Sequence, residues 1–505
     1  MSSRPDPKIP KKIIFIMTDT QRWDMLGCYR ETGLKTPCLD KLASQGMRFE
    51  RAYTTQPVCG PARSAIFSGQ YPHSNGTYTN GFPMYDYVKT LGQRLRDNGF
   101  HTAYMGKWHL DGGDYFGMGR CPDGWDADNW YDMRNYLEEL TDEERLLSRQ
   151  VETINNPGIS REFTFGARCS GRAIDFLEKH GDEEFFLAVS YDEPHHPFLC
   201  PEPYASMYKD FVFEKSENVC DDLTGKPDYQ RAWAGQSLYE DKQALEVRHP
   251  YLFGCNSFVD SEIGLVMDAI DRYASDALVI YTADHGDFLK SHSLSNKGPA
   301  AYDEIARIPL IIREPHAIKA GTVYEKPVSH INIAPTIMEY AGLPVPKVFE
   351  GKSLVPVFSD TSTAVQDAVF IEFGRYENEL DGFGGFQPLR AVFDGRFKLV
   401  INLLCSDELY DLETDPGEMQ NLILSKETAQ IRDALHNRLL EWMNDTVDPM
   451  RGYYWERRPW RTDARAATWK YTNMTRQREH EEYEPRRLDY STGLEIESAV
   501  QVKQV

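Results

Sequence analysis

The sequence predicts an α/β protein with a mostly parallel central sheet flanked by helices, followed by a smaller C-terminal α+β subdomain built on an antiparallel sheet. Short apolar runs alternate with helical segments over the first two thirds of the 505 residues, as in parallel sheets with crossover helices. Beyond residue 365, strand-like runs follow one another directly, and Asp394-Gly395 is a hairpin signal between two of them. We therefore expect two units, residues 1–365 and 366–505.

Four apolar runs of the first unit are each followed by ionisable residues. The carboxyl ends of parallel strands meet at one edge of a sheet, where ligands of α/β proteins bind, so we expect these residues to lie close together. The runs and the residues after them are 12–18 with Asp19, 102–105 with Lys107 and His109, 184–190 with His195, and 277–282 with Asp284 and His285.

Helix signals separate these runs. Thr36-Pro37 is a good helix start that Gly46 ends, and Asn98-Gly99 stops a helix before the second run. The predicted helices of the first unit cover residues 37–42, 90–97, 170–180 and 250–273. In the second unit we expect strands at 368–373, 389–393 and 397–402 and a helix at 428–443. The segment 451–461 is rich in arginine and aromatic residues, which suits either an arm that packs on the body or a wall of a substrate pocket.

The composition and charge of the chain limit which binding partners and which cellular compartment we expect. The formal charge of -22 argues against nucleic acid or an anionic membrane as a partner, so any positive potential for an anionic ligand must be local. The longest apolar runs are strand-length, and the first residues contain no apolar signal segment. The nine cysteines form no paired framework and no Cys-x-x-Cys zinc spacing, so we expect a reducing, cytoplasmic location.

The stretch from Pro57 to Gly69 is the centre of the functional prediction. Pro61 suits the first position of a helix and Gly69 its left-handed end, which places Cys59 just before the helix N-terminus. Unpaired N–H groups at such a terminus bind anions, and Arg63 adds a guanidinium fork for an oxyanion. The stretch therefore predicts a seat for a sulfate-like or phosphate-like group.

The spacing Cys59-x-Pro61-x-Arg63, with the following Ser-Ala-Ile-Phe-Ser-Gly, resembles the signature of the type I sulfatases, in which a maturation enzyme oxidises the cysteine to formylglycine. Six further blocks occur in the order of that family. They are Asp19 with Met25-Leu-Gly-Cys-Tyr29, Gly106-Lys107-Trp108-His109, Pro194-His195-x-Pro197, Thr282-x-Asp284-His285-Gly286, Lys297-Gly298, and the motif from Leu409 to Leu422.

This resemblance implies an alkaline-phosphatase-like fold and a set of roles. Asp19, Asp284 and His285 would bind one divalent cation, most often Ca²⁺, which would also touch the formylglycine made from Cys59. Arg63 would hold the formylglycine hydrate, Lys107 and Lys297 would bind sulfate oxygens, and His109 and His195 would handle protons. The family usually has two adjacent aspartates where this chain has Asp19-Thr20-Gln21, so we expect a hydroxyl or amide oxygen to substitute and metal affinity to be weaker.

The metal prediction leaves alternatives open. His285 supplies nitrogen where a hard cation prefers oxygen, which keeps Mn²⁺ open beside Ca²⁺. Asp24 and Asp287 are possible extra ligands, but closeness in sequence alone does not make a ligand. Four further histidines are expected to have structural or pocket-rim positions, namely His73, His196, His292 and His330.

The activity that the resemblance implies is hydrolysis of a sulfate monoester to an alcohol and inorganic sulfate. In the expected mechanism one hydroxyl of the formylglycine hydrate attacks sulfur, His195 or Lys297 protonates the leaving oxygen, and His109 removes the proton that releases sulfate. A small anionic substrate is expected, a sulfated sugar first and an aryl or steroid sulfate second. Loops at 111–165, 199–250 and 381–386 are expected to shape its pocket.

Two other functions remain open from the sequence. The same scaffold and motif serve formylglycine-dependent hydrolases of phosphonate monoesters and phosphodiesters, and the missing second aspartate keeps this activity open because charge at the metal tunes the preferred anion. A protein that binds sulfated glycans without cleaving them is the non-enzymatic alternative. It would not need the paired proton-handling residues.

Overall fold

The computed structural model describes residues 11–150, 159–377, 385–464 and 493. The strands are β1 (Lys12–Thr18), β2 (Met47–Phe49), β3 (Ala52–Tyr53), β4 (His101–Gly106), β5 (Trp130–Tyr131), β6 (Phe185–Ser190), β7 (Leu278–Ala283), β8 (Arg307–Ile308), β9 (Leu310–Arg313), β10 (Thr322–Tyr324), β11 (Val328–Ser329), β12 (Val369–Arg375), β13 (Phe386–Phe393), β14 (Phe397–Asn402) and β15 (Glu408–Asp411).

The α-helices connect and cover these strands. They are α1 (Pro37–Gln45), α2 (Cys59–Ser68), α3 (Pro72–Asn75), α4 (Leu91–Asp97), α5 (Met133–Glu138), α6 (Asp142–Leu147), α7 (Phe165–His180), α8 (Tyr204–Met207), α9 (Asp228–Ala234), α10 (Pro250–Tyr273), α11 (Asp303–Ala306), α12 (Ile333–Tyr340), α13 (Val355–Ser359), α14 (Ala429–Asp445) and α15 (Tyr453–Glu456). No helix in the described part of the chain has the length and apolar character needed to cross a membrane.

An eight-stranded sheet with the order β10-β2-β9-β7-β1-β6-β4-β5 forms the centre of the molecule. Only β9 runs antiparallel to its neighbours; the remaining pairs in this sheet are parallel. Alternate residues of β1 face two cores: Phe15 packs in a cluster with residues of α2, α4 and α12, and Ile14 in a cluster with residues of α7 and α10. Helices thus cover both faces, and the predicted α/β class is confirmed.

The four strands that the sequence marks as ending in ionisable residues are neighbours in this sheet. Their order is β7-β1-β6-β4, and the last residues of the strands are in register, with Met17 opposite both Ser190 and Thr282. Gly106 at the end of β4 pairs with the same Ser190. All four chains therefore leave the sheet at one edge, side by side, and their following residues converge there.

A separate antiparallel sheet, in the order β12-β13-β14-β15, follows near the C-terminus, and α14 packs on it through Leu435 and Leu439. This arrangement confirms the antiparallel C-terminal sheet and its helix. The connection between α13 and β12 contains residue 365, and the division of the chain there stays a prediction. Residues 465–492 and 494–505 of the predicted second unit lie outside the described residues.

The arginine- and aromatic-rich segment 451–461 packs on the C-terminal sheet and α14. Trp455 is 1% exposed and belongs to the same core cluster as α14. Arg458 donates to both oxygens of Asp407 at 2.8 and 2.9 Å, and Trp460 Nε1 donates to Asp407 at 2.8 Å. Aromatic burial and ion pairing, rather than contact with the pocket described below, thus account for this segment.

A buried ion pair joins the helical segment after α2 to the C-terminal sheet. The backbone N–H of His73 donates to Glu372 Oε1 at 2.9 Å, and His73 Nδ1 contacts the other carboxylate oxygen. Burial by itself lowers the pKa of His73, but the Glu372 carboxylate outweighs burial and raises the pKa to about 9. Because an unfolded histidine has a pKa of about 6.5, the pair stabilises the fold fully below that pH and loses this contribution as pH rises through 9.

We therefore expect the free energy of unfolding to fall by about 1–3 kcal/mol between pH 6.5 and 9.5, relative to a variant without the titrating pair. The comparison is His73→Gln with Glu372→Gln, since a single substitution would leave one buried charge unpaired. Denaturant unfolding at several pH values measures the difference. Parallel pH profiles for the two proteins would show that the pair does not titrate in this range.

Candidate active site

Cys59 is the first residue of α2, and the whole helix is buried. The sequence predicts a start at Pro61, which is wrong: the helix begins two residues earlier. Val58, the residue before the helix, is extended, and the Ala62 N–H donates to the Val58 carbonyl at 3.0 Å, which closes the first turn around Cys59. Gly69 ends the helix in the left-handed conformation, as predicted, with a φ of 68°. The thiol therefore projects from the first helical turn and is almost fully buried.

The backbone N–H groups near Cys59 bond to protein groups, whereas the sequence predicts that they are unpaired and bind an anion. Gly60 N–H donates to Asn80 Oδ1 at 2.9 Å, Pro61 has no N–H, and Ala62 N–H is used within the turn. These amides are not free to bind an anion, so the predicted seat does not rest on them. The side-chain amide of Asn80 had no sequence signal.

Arg63 points its guanidinium toward the strand ends and is fully buried. Its Nε donates to Asp284 Oδ2 at 3.2 Å and its Nη2 to Asp19 Oδ2 at 3.1 Å. Its Nη1 donates to the Lys107 carbonyl and to Ser190 Oγ, both at 2.7 Å. Most of its donors are thus engaged with protein groups, and the free oxyanion fork that the sequence predicts is replaced by a clamp on two carboxylates.

Four side chains converge beside this clamp: Asp19, Cys59, Asp284 and His285. One ligand atom from each lies within 4.8 Å of the others, and all four residues are buried. Cys59 Sγ is 3.3 Å from His285 Nε2 and 3.7 Å from Asp19 Oδ1.

This donor set fits a divalent cation. Arg63 binds Oδ2 of both aspartates, which leaves each Oδ1 directed toward Cys59 and His285. His285 Nδ1 lies 2.9 Å from the Gly286 carbonyl and so carries the proton, which leaves a lone pair on Nε2. Burial and the neighbouring Asp19 carboxylate raise the pKa of Asp284 to about 6, as expected for carboxylates that need a cation between them.

Of the two residues that the sequence offers in place of the second aspartate, Thr20 keeps its hydroxyl beside the cluster and Gln21 does not. Thr20 Oγ1 donates to Asp19 Oδ1 at 2.8 Å, and Gln21 turns away to bond with Asn256 at 2.7 Å. The two additional candidate metal ligands, Asp24 and Asp287, also have other partners. Arg22 holds Asp24 at 2.7 Å, and Asp287 accepts the N–H of Leu289 at 2.8 Å.

Two buried lysines surround the thiol. Lys297 Nζ is 3.2 Å from Cys59 Sγ, and Lys107 Nζ is 2.7 Å from Asp19 Oδ2 and 3.0 Å from Asp192 Oδ1. Burial and Asp19 oppose ionisation of Cys59, but Lys297, Lys107 and His285 outweigh them and lower the pKa of the thiol well below its usual value. The site therefore stabilises a negative charge at position 59.

His195 is held in one tautomer by its surroundings. Its Nδ1 lies 2.9 Å from the His196 carbonyl, which can only accept, so Nδ1 carries a proton. Nδ1 also lies 2.9 Å from the Tyr115 hydroxyl, which donates to Asp192 at 2.6 Å. Tyr115 and Asp192 are thus positioning residues that connect His195 to Lys107.

His109 lies near the same thiol. Its Nδ1 is buried and has no hydrogen-bond partner among residues 11–150, 159–377 and 385–464. Burial lowers the pKa of this histidine, and the Cys59 thiol only partly opposes that shift. A neutral imidazole with an unsatisfied ring nitrogen can accept a proton.

A cavity of about 110 Å³ opens onto Cys59, Lys297 and His195. His196 also lines it, as a rim residue. Five lining residues were missed by the sequence analysis, namely Asn80, Tyr115, Arg149, Tyr376 and Glu377. Tyr115 and Arg149 belong to the 111–165 loop that was expected to shape the pocket, whereas most of the 381–386 loop lies outside the described residues.

The other histidines have structural partners. His73 pairs with Glu372, His292 Nδ1 lies 2.7 Å from Asp221, and His330 Nε2 lies 2.9 Å from the Ala283 carbonyl. Asp192 could have been found from the sequence, since it follows β6 in the same segment as His195. Asn80 and Tyr376 lie on separate connections without any pattern that marks them.

Two family models and several known proteins match the chain. The family model Sulfatase matches residues 11–343, and the model of the C-terminal region of N-sulphoglucosamine sulphohydrolase matches residues 292–445. The uncharacterized sulfatase YidJ of Escherichia coli is 44% identical over 488 residues, which cover 95% of this chain and 96% of that protein. An N-acetylglucosamine-6-O-sulfatase of Bacteroides thetaiotaomicron is 25% identical and covers 86% of this chain and 87% of its own.

Solved structures show the same fold. A protein in complex with its substrate D-glucosamine-2-N,6-O-disulfate has a TM-score of 0.69 at 22% identity and covers 88% of this chain and 99% of its own. The phosphonate monoester hydrolase of Agrobacterium radiobacter has a TM-score of 0.71 at 24% identity, covering 86% and 95%. With the family model matching well over half of the residues, the chain belongs to the sulfatase family of the alkaline-phosphatase-like superfamily and is a sulfuric ester hydrolase.

Proposed function

We propose that this enzyme hydrolyses the sulfate monoester of a small sulfated sugar to the free alcohol and inorganic sulfate. The observation that carries the proposal is the buried cluster of Asp19, Asp284 and His285 around Cys59, with Lys297 Nζ 3.2 Å from the sulfur at the end of a small cavity. A sugar is the first choice because relatives named above act on sulfated glucosamine derivatives. Aryl and steroid sulfates come second.

Formylglycine and a metal would complete the site. Oxidised Cys59 would supply a hydrated aldehyde as nucleophile, and a divalent cation held by Asp19, Asp284 and His285 would supply Lewis-acid activation. Ca²⁺ remains our first choice and Mn²⁺ the competitor, since the protein donors combine carboxylate oxygens with one imidazole nitrogen. A maturation enzyme that oxidises Cys59 is the expected protein partner.

The lysines and Arg63 provide preorganised charge. Lys297 faces position 59, where its ammonium would bind a sulfate oxygen and balance negative charge that grows on the transferring group. Lys107 is held between Asp19 and Asp192 on the other side of the cluster and adds a second positive charge. Arg63 fixes the two carboxylates, so their inward oxygens do not need to reorganise during the reaction.

Two histidines would move protons. We assign His195 as the acid that protonates the leaving ester oxygen: the His196 carbonyl and Tyr115 fix its Nδ1, and the proton transferred would be one carried by Nε2 in the imidazolium form. Lys297 is the alternative donor. His109 would accept the proton whose removal releases sulfate, which suits its lowered pKa and unsatisfied Nδ1.

All nine cysteines are free thiols, which supports a proposed cytoplasmic location.

A second candidate is hydrolysis of phosphonate monoesters or phosphodiesters at the same site. Thr20 keeps this candidate open, because a neutral hydroxyl next to Asp19 leaves the site with one negative charge fewer than two adjacent aspartates would give. A relative described as a multifunctional alkaline phosphatase superfamily protein, from Trinickia caryophylli, is 26% identical and covers 88% of this chain. A glycan-binding protein without catalysis is not supported by these features.

The test is a substrate panel with protein co-expressed with a maturation enzyme. We expect kcat/KM for a sugar sulfate or 4-nitrophenyl sulfate to exceed that for a matched phosphodiester and phosphonate ester by at least ~10-fold, a difference of about 1.4 kcal/mol in transition-state binding. Chelation should remove activity, and separate addition of Ca²⁺ and Mn²⁺ identifies the metal. Faster turnover of the phosphorus esters would favour the second candidate; binding without turnover of any ester would favour the glycan-binding protein.

A further inference from the structure

Two opposite charges at the cavity have no role in the chemistry described above. Arg149 and Glu377 both line it, and both are half-buried, whereas Cys59 and Lys297 at its inner end are buried. Neither Arg149 nor Glu377 forms an ion pair with any other residue that the structure describes. Charged side chains that line a pocket and form no ion pair among the described residues are available to a charged ligand.

Aromatic rings hold Arg149 in place. Its guanidinium lies 5.0 Å from the ring centre of Phe116 and 5.6 Å from that of Tyr115, the residue that positions His195. Burial raises the pKa of the Asp192 carboxyl, Lys107 and His195 outweigh burial and lower it, and Arg149 adds a smaller lowering effect. A stacked guanidinium loses less freedom on binding and presents a planar fork for a carboxylate or sulfate.

Glu377 is placed by the backbone. It forms a bridge with Asn80, whose side chain caps the first turn of α2 beside Cys59. Burial raises the pKa of the neighbouring Tyr376, Lys297 opposes that shift, and the Glu377 carboxylate adds to it after Cys59. The carboxylate can accept hydrogen bonds from hydroxyl or amino groups of a ligand and repels a second anion.

We infer that Arg149 binds a second anionic group of the substrate, a carboxylate or another sulfate, and that Glu377 accepts hydrogen bonds from its hydroxyl or amino groups. The substrate class is then a sugar sulfate that carries an additional negative charge, rather than a sugar with one sulfate alone. Because the protein has a formal charge of -22, such a dianion would depend on local cations at the pocket. This inference rests on the proposed sulfatase function.

The experiment compares two esters that differ in the second charge, D-glucosamine 2-N,6-O-disulfate and N-acetyl-D-glucosamine 6-O-sulfate. Release of the 6-O-sulfate is followed by chromatography of the sugar product, and the quantity compared is the ratio of kcat/KM for the disulfate to that for the monosulfate. We expect Arg149→Ala to lower this ratio about 10-fold, mainly through KM, since it removes a charge-assisted contact. Glu377→Gln should raise the same ratio roughly 3-fold, because it removes a nearby negative charge.

The matched control is Arg145→Ala, an exposed arginine four residues away that bonds to the Leu137 carbonyl at 2.7 Å and does not line the cavity. It should not alter the ratio. An unchanged ratio in Arg149→Ala, or a fall in both Arg149→Ala and Glu377→Gln, would overturn the inference.

The two proposals fail differently. Hydrolysis of 4-nitrophenyl sulfate but of neither sugar by the wild type would overturn the inference while the sulfatase function stands. No hydrolysis of any sulfate ester by protein with oxidised Cys59 would overturn the proposed function itself.

Discussion

Replacing Cys59 by alanine is expected to lower kcat/KM for a sulfate ester by at least ~10⁴-fold, the scale of losing a covalent nucleophile. Cys59 is the only one of the four convergent ligand residues that can be oxidised to formylglycine, and the cluster holds no other thiol or hydroxyl ligand among the described residues. A stopped assay of sulfate release measures the loss.

The mass spectrum of the peptide that contains Cys59 gives an independent readout. In active wild-type protein we expect the mass decrease for conversion of a thiol to an aldehyde at this residue and at none of the other eight cysteines. Cys220→Ala is the matched control, because Cys220 is an exposed thiol that belongs neither to the cluster nor to the cavity lining, and it should keep full activity. Undiminished turnover by Cys59→Ala would mean that another residue is the nucleophile.

Asp19→Asn is expected to have the second largest effect on activity. We expect kcat/KM to decrease roughly 10²–10³-fold and the bound metal to be lost. The carboxylate lies 3.1 Å from Arg63 and 2.7 Å from Lys107, and its other oxygen faces Cys59 and His285. A neutral amide would leave two buried cations less balanced, so we also expect destabilisation of about 3–5 kcal/mol. Metal content after dialysis and thermal unfolding measure these two effects separately.

Asp24→Asn is the matched control for that substitution. Asp24 is equally buried and is held by an arginine, Arg22, at 2.7 Å, but it does not belong to the convergent cluster. It should lose stability to a similar degree while keeping its metal. Loss of metal in both variants would show that Asp24 is a ligand after all, and retention of metal by Asp19→Asn would remove Asp19 from the proposed ligand set.

The sequence by itself determined the strand ends and the residues that follow them. Apolar runs such as Lys12–Thr18 and Phe397–Asn402 have the bounds of the observed strands, because most side chains inside each strand are apolar and buried. The helix Pro250–Tyr273 was also located with both ends, since a proline starts it. Asp19, Lys107, His195 and Asp284 follow adjacent strands, and the rule for parallel sheets brings them together.

Only the tertiary structure decided what those residues contact. The guanidinium fork of Arg63 was expected to bind an anion. In the fold it is buried beside the ends of two strands, and its N–H groups donate to Asp19 and Asp284 instead. Thr20 and Gln21 could each have supplied a metal oxygen, and their partners were set by the neighbouring Asp19 and by Asn256 on α10. Arg149 and Glu377 lie on connections that carry no periodic pattern. Their convergence on Cys59 depends on how distant loops meet at the sheet edge, and local sequence does not encode such long-range contacts.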